Sequence, residues 1–160
     1  MCLLNLEGHH VPAPGLVFED LAVVTPHGLR VLVVDDEGLI RWAVGEELVH
    51  RGHSVLEAGD GETTRRILRT IDTPIDAVLL DYQLPDTRDL ELLQDVRRLS
   101  PTSAVVMMTA SDDPGLVSNA TRLGAYAVID KPFELRDIDP LLREAFNAHE
   151  SSARAGARAT

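Results

Sequence analysis

One cysteine, Cys2, is all the thiol this chain contains, so no disulfide can form within it, and a reducing cytoplasmic setting is expected. No run of about 18 apolar residues occurs, so no membrane-spanning helix is expected. The opening residues, Met1 to Gly8, lack the basic and apolar regions of a secretory signal. Basic residues are outnumbered, 15 Lys and Arg against 26 Asp and Glu, for a net charge of −11. The arginines are scattered, and without a basic patch to neutralise phosphates no nucleic-acid partner is expected. The histidines (His9, His10, His27, His50, His53 and His149) show no metal-ligand spacing and are expected to be solvated. No internal repeat is visible.

The chain does have an ordinary share of apolar residues, 44%, and of charged residues, 26%, over a length of 160 suited to one domain with short extensions. It divides into three zones. Residues 1–29 are broken by Pro12, Pro14, Gly15, Pro26 and Gly28 and form an N-terminal extension, expected to be partly flexible. Within it the apolar stretch Leu16 to Val24 is suited to pairing or packing, with no partner legible from sequence. Residues 30–148 carry regular periodicity, and residues 149–160, small and polar, read as a flexible tail.

In the middle zone, short apolar runs at Val31–Val34, Val55–Ala58, Ala77–Leu80, Ala104–Met108 and Tyr126–Ile129 read as strands buried on both faces. Amphipathic stretches come after each one: Leu39 to Leu48, Ile67 to Ile71, Leu92 to Leu99, Leu116 to Leu123, and Leu141 to Phe146. Gly52 and Gly124 sit where helices should stop. Asp112 or Asp113 is placed to cap the fourth helix. Pro140 demands either a late start to the fifth, capped by Asp139, or a loose first turn. Trp42 on the first helix is expected to pack rather than to recognise a partner. Five strand–helix units predict an α/β, doubly wound, flavodoxin-like fold: a five-stranded parallel sheet of order 2-1-3-4-5 with helices on both faces.

Such folds bind ligands beyond the carboxyl ends of their strands. There the first run is succeeded by Asp35 and Asp36, the third by Asp81, the fourth by Thr109 and Ala110, and the fifth by Lys131 and Pro132. Strands 1 and 3 are neighbours in this order, so the three aspartates converge, with Thr109 and Lys131 beside them. At about 4 Å and an effective dielectric near 20, each carboxylate pair costs roughly 4 kcal/mol before screening. Lys131 offsets part of this, and a hard divalent cation such as Mg²⁺ suits the remainder. An aspartate can attack phosphorus to give an acyl phosphate, provided that charge on the transferring oxygens is neutralised.

These residues resemble response-regulator receiver domains. The resemblance rests on Val-Leu-Val-Val-Asp35-Asp36-Glu37, Leu-Leu-Asp81-Tyr-Gln-Leu-Pro85-Asp, Met-Met-Thr109-Ala110 and Lys131-Pro132-Phe133, and covers roughly residues 30–147. Leu-Ile-Arg-Trp after the acidic triplet and Gly-Ala-Tyr before Lys131 look closest to receivers of nitrogen-regulation-type activators. The resemblance implies that Asp81 accepts a phosphoryl group from a sensor histidine kinase or a phosphotransfer protein. It also implies that Asp36, Asp81 and the Gln83 backbone carbonyl ligate Mg²⁺, with Asp35 holding it through water. Thr109 and Lys131 would contact the phosphoryl group, and the Lys131–Pro132 peptide would be cis. The implied switch region comprises Thr109, Ala110, Val128 and Pro132. Gln83 and Ser111 either tune hydrolysis of the acyl phosphate or are ordinary loop residues.

Three positions depart from the family pattern. Val128 replaces a usual aromatic, with Tyr126 two residues earlier; Asp89 replaces a usual glycine; and Pro140 alters the fifth helix, part of the helix 4–strand 5–helix 5 face that such receivers use for partners or homodimers. The stretch after Lys131 is too short for an output domain, so the expected function is a phosphorylation switch acting through a downstream protein contact or onward phosphotransfer. It is expected not to be an enzyme, apart from self-catalysed phosphorylation and slow autodephosphorylation. The competing readings are a Mg²⁺-dependent phosphatase or hydrolase with an aspartyl intermediate, and a receiver-like module that works without phosphorylation. The adjacency of Asp35 and Asp36 argues against the hydrolase, since haloacid-dehalogenase-type enzymes set nucleophile and acid two residues apart.

Overall fold

The computed structural model describes residues 28–88 and 90–157. The expected extension lies outside the described residues up to position 27, as does the departure at Asp89. The elements are β1 (Arg30–Val34), α1 (Gly38–His50), β2 (Ser54–Ala58), α2 (Gly61–Thr70), β3 (Ala77–Asp81), α3 (Glu91–Leu99), β4 (Ala104–Thr109), α4 (Leu116–Arg122), β5 (Ala127–Asp130) and α5 (Leu135–Ala157). All strand pairs are parallel and the order is β2-β1-β3-β4-β5, as the alternating pattern predicts.

Right-handed crossovers explain the layering. The chain leaves β1 in one direction and reverses after β2, which sends α1 to one face and α2, α3 and α4 to the other. After β5, α5 returns to the α1 face. Strand alternation then sorts the core in two. Val31, Val33, Leu79, Val106 and Met108 face Val44 and Leu48 of α1 and Ile138 and Leu142 of α5. Leu32, Val34, Val78, Leu80, Val105 and Met107 face the other three helices. The central strands β1, β3 and β4 are buried on both faces, but β2 and β5 are only partly buried. Edge strands have a neighbour on one side only, so the expectation of full burial holds for the middle of the sheet.

Gly52 and Gly124 end α1 and α4 at φ of 89° and 98°, in the left-handed region that glycine tolerates. The fourth helix departs from expectation at its start. It begins at Leu116 without a side-chain cap, and Asp113 instead accepts the Gly115 N–H.

The fifth helix departs more. It starts at Leu135, not after Asp139, and runs through Pro140. An Asp137 N–H to Glu134 C=O bond, one residue tighter than an α-helical bond, marks its loose opening. The expected flexible tail is helical as far as Ala157. Alanines in that stretch favour helix without any apolar stripe, so periodicity could not reveal it. Its exposed turns carry an Arg154–Glu150 pair four residues apart.

His53 is buried, a correction to the expectation of a solvated side chain. Its Nδ1 accepts the Leu29 N–H at 2.9 Å, so the neutral ring carries its proton on Nε2, 2.7 Å from Asp139 Oδ1. Asp139 also accepts from Arg143 Nε at 2.6 Å. Burial works to raise the Asp139 carboxyl, but the His53 and Arg143 hydrogen bonds outweigh it and hold it below the ordinary carboxylate range. Its stabilising contribution is therefore complete above that range and is lost as the pH falls through the lowered folded value. Asp139→Ala should cost about 1–3 kcal/mol at neutral pH. Urea unfolding measured from neutral to acid pH should show the deficit shrinking towards the acid end. A deficit independent of pH would contradict this account.

Candidate functional site

The site stands at the carboxyl rim of the sheet. The β1 backbone continues past Val34, where the Asp35 N–H donates to Ala58 C=O at 3.1 Å, so Asp35 leaves the sheet still held by β2. Its side chain is fully buried, and Oδ1 accepts the Glu37 N–H at 2.8 Å. Asp81, the last residue of β3, is 5% exposed. Its Oδ1 accepts the Gln83 N–H at 3.0 Å and its Oδ2 accepts from Lys131 Nζ at 2.7 Å. Lys131 reaches back across β4 from beyond β5, anchored by its own N–H on Thr109 C=O at 2.7 Å. The Lys131–Pro132 peptide is cis, as expected.

Asp35, Asp36 and Asp81 each present a carboxylate oxygen within 4.8 Å of the other two. Lys131 Nζ lies 2.8 Å from Asp35 Oδ2 and 3.5 Å from Glu37 Oε1. One ammonium thus pairs with three carboxylates, and Asp36 brings a fourth to the cluster. The Asp35 contact is a close charge pair that misses hydrogen-bonding geometry, leaving Oδ2 buried with no directed donor. A buried, underserved carboxylate oxygen beside an exposed Asp36 fits a hard cation entering from solvent.

The electrostatics agree. Burial pushes the Asp81 carboxyl above its usual range, and Lys131 and the Gln83 N–H only partly oppose it. Burial also works to lower the Lys131 ammonium, but Asp35 and Asp81 outweigh it and hold it above the ordinary lysine range. Thr109 is buried at the end of β4, and its Oγ1 accepts the Ser111 N–H at 2.9 Å. Among the described residues its hydroxyl hydrogen finds no acceptor.

The remaining positions expected to switch are Ala110, Pro132 and Val128. Ala110 and Pro132 line a groove running from Lys131 towards α1. Val128 is half-buried on β5 against the α2–α4 side of the core. Tyr126 cannot stand in for the missing aromatic: it precedes β5, and its hydroxyl donates to Glu144 of α5 at 2.8 Å. Trp42, expected to pack, is 58% exposed on α1.

Three contributors escaped the sequence reading. Arg41 on α1 donates to the Asp35 backbone carbonyl at 2.6 Å and to Glu57 at 3.2 Å, pinning the acidic loop. Asp86 receives the Gly61 and Glu62 N–H groups at 2.8 and 2.9 Å, clamping the loop after Asp81 to the start of α2. A Cβ at Gly61 would fall 2.4 Å from Thr87 Cγ2, so any side chain there would force Thr87 to shift. Glu37 adds a carboxylate to the three aspartates. Arg41 and Asp86 belong to quoted motifs, but neither motif indicates which backbone group each one holds.

Fold and rim together define a class, the phosphorylation-dependent signalling domains of two-component systems. Residues 31–143 match the response regulator receiver domain family, and the chain belongs to it. It is 32% identical over 123 residues to a probable chemotaxis protein CheY of Rhizobium etli, matching 75% of this chain and 94% of that protein. It is 27% identical to the transcriptional regulator NtrC of Azospirillum brasilense, where the match covers 77% of this chain but only 25% of that longer protein. A CheY-like receiver from Methanospirillum hungatei superposes with a TM-score of 0.72 at 26% identity, covering 78% of this chain and 98% of that one. The chain is therefore a signalling switch governed by phosphorylation. No described helix is long and apolar enough to cross a membrane.

Removing Lys131 strands two buried carboxylates. Lys131→Ala should destabilise the protein in chelator by about 3–5 kcal/mol. Asp81→Asn should cost less, because it removes a buried charge together with its need for a partner. Denaturant melts in EDTA at neutral pH compare the two, and the reverse order would contradict the electrostatic picture.

Proposed function

We propose that Asp81 is the phosphoryl acceptor and that a phosphohistidine on a sensor kinase or phosphotransfer protein is the donor. The observation that carries this reading is the Asp81 carboxylate, last residue of the central strand β3, held by Lys131 within a trio of acids. A carboxylate oxygen of Asp81 attacks phosphorus, the bond to the imidazole nitrogen breaks, and the donor ring leaves with its electron pair. Lys131 stays beside Asp81 to offset charge on the transferring oxygens, and the Thr109 hydroxyl is available to donate to one of them. Asp36, Asp81 and the Gln83 carbonyl would hold Mg²⁺ directly and Asp35 through water. When bound, the ion neutralises negative charge on the phosphoryl group and the acids.

Output is through a downstream protein contact or onward phosphotransfer, and the α4–β5–α5 face is the surface we assign to partners or a homodimer. The loss of the aromatic at Val128 places more of the conformational response on Thr109 and the loop after it. Turnover is confined to slow self-dephosphorylation, and the setting is the cytoplasm, where such kinases present their donor.

Incubation with acetyl phosphate and Mg²⁺ should add one hydroxylamine-labile phosphoryl group to the wild type and none to Asp81→Asn, read by intact-protein mass. Labelling that survives Asp81→Asn would sink the assignment. Separately, Mg²⁺ at about 100 times its Kd should stabilise the fold by about 2.7 kcal/mol. Asp36→Ala should lose most of that gain in a thermal melt, whereas an unchanged gain would remove Asp36 from the ligand set.

A further inference from the structure

The α1 helix carries apolar residues on its outer face as well as its inner one. Its inner face is buried, yet Leu39, Trp42 and Val49 stand 75%, 58% and 54% exposed. With Glu46 between Trp42 and Val49, these positions recur at intervals of three and four and share one outer face. Two grooves adjoin that face along the seam with α5. One, of about 390 Å³, is lined by Leu39, Ile40, Phe133 and Leu135 and opens at Lys131 and Ala110. The other, of about 380 Å³, shares Ala43 and Leu135 and continues past Trp42 to His50. An apolar strip therefore runs from the rim of the phosphoacceptor site past Trp42, and its lower part is bordered by Glu46, Glu47 and His50.

The chain itself arrives at the lower end of this strip. Gly28 lies so close to Gly52, just past the end of α1, that a Cβ on it would fall 1.8 Å from the Gly52 carbonyl oxygen. The next residue, Leu29, donates to His53, whose other nitrogen meets Asp139 of α5. Gly28 thus sits beside the end of α1, where His53 joins the start of β1 to α5. The residues preceding it include the apolar stretch Leu16–Val24, with Leu16, Val17, Phe18, Leu21, Val23 and Val24, joined to Gly28 by Thr25, Pro26 and His27. Three residues reach about 10 Å and nine extended residues about 30 Å. The stripe from Leu39 to Val49 is about 15 Å long, well within that reach.

We propose that residues 16–24 of this chain dock along the exposed face of α1 and into the α1–α5 seam, covering Trp42. The phosphoacceptor reading could fail and this docking still stand, because the docking concerns only where the N-terminal segment lies.

Trp42 is the sole tryptophan and reports directly on the seam. The full chain is compared with Phe18→Ser/Leu21→Ser, with circular dichroism as the check that the fold is unchanged. The expected result is longer-wavelength Trp42 emission and greater quenching by acrylamide in the variant. A synthetic peptide of residues 12–27, added in trans to the variant, should reverse both changes. Leu39→Asp on the groove side should reproduce the variant's spectrum in an otherwise native chain. Identical emission and quenching in all forms would overturn the proposal. So would a spectrum that shifts with protein concentration, because the seam would then be covered by a second copy.

Discussion

A single buried ammonium holds the ends of three strands together. Lys131 pairs with Asp35 after β1 and Asp81 at the end of β3, although β4 lies between β3 and β5. Removing one partner of such a buried cluster costs more than the cluster contributes, because the others remain desolvated and unpaired. The β5–α5 loop must therefore fold back over β4, and the Lys131 N–H on Thr109 C=O fixes that path. Charge remains unbalanced even so, with four acids against one base. That imbalance makes the rim receptive to a further cation and sensitive to an added phosphoryl group.

The surrounding elements keep these side chains from spreading. Arg41 ties α1 to the backbone of the acidic loop, and Asp86 ties the loop after β3 to α2. At the opposite end of the sheet, His53 joins the start of β1 to α5 through Asp139. These contacts use side chains on backbone groups, or a buried ring on a carboxylate, and each fixes a loop that the sheet ladder alone leaves free. The acids can then sit close together because their backbones are held independently of them.

The other face of the site is held more lightly at its start. Thr109 lies between Lys131 and the loop leading to α4, and this short helix begins without a side-chain cap. Val128 contributes apolar packing where an aromatic ring is usual in the family, and Tyr126 is committed to Glu144. The Tyr126 bond ties the start of β5 to α5. The α1 side differs, with an exposed apolar face next to the same rim.

Strand number, order and the acidic rim were legible in the sequence because they depend on local pattern. Apolar runs of strand length alternate with amphipathic helices, and few right-handed parallel topologies accommodate five of them. A rim at the strand ends then comes from which residue follows or ends each run: Asp35, Asp81, Thr109 and Lys131. Only the tertiary structure decided the burial of His53, the start of α5 ahead of Pro140 and its extension to Ala157, the exposure of Trp42, and the clamps made by Arg41 and Asp86. Each depends on a partner distant in sequence, on solvent exposure set by the assembled layers, or on helix propensity without amphipathic signal. Periodicity records which way a side chain faces along its own element, and it carries no information about what waits there.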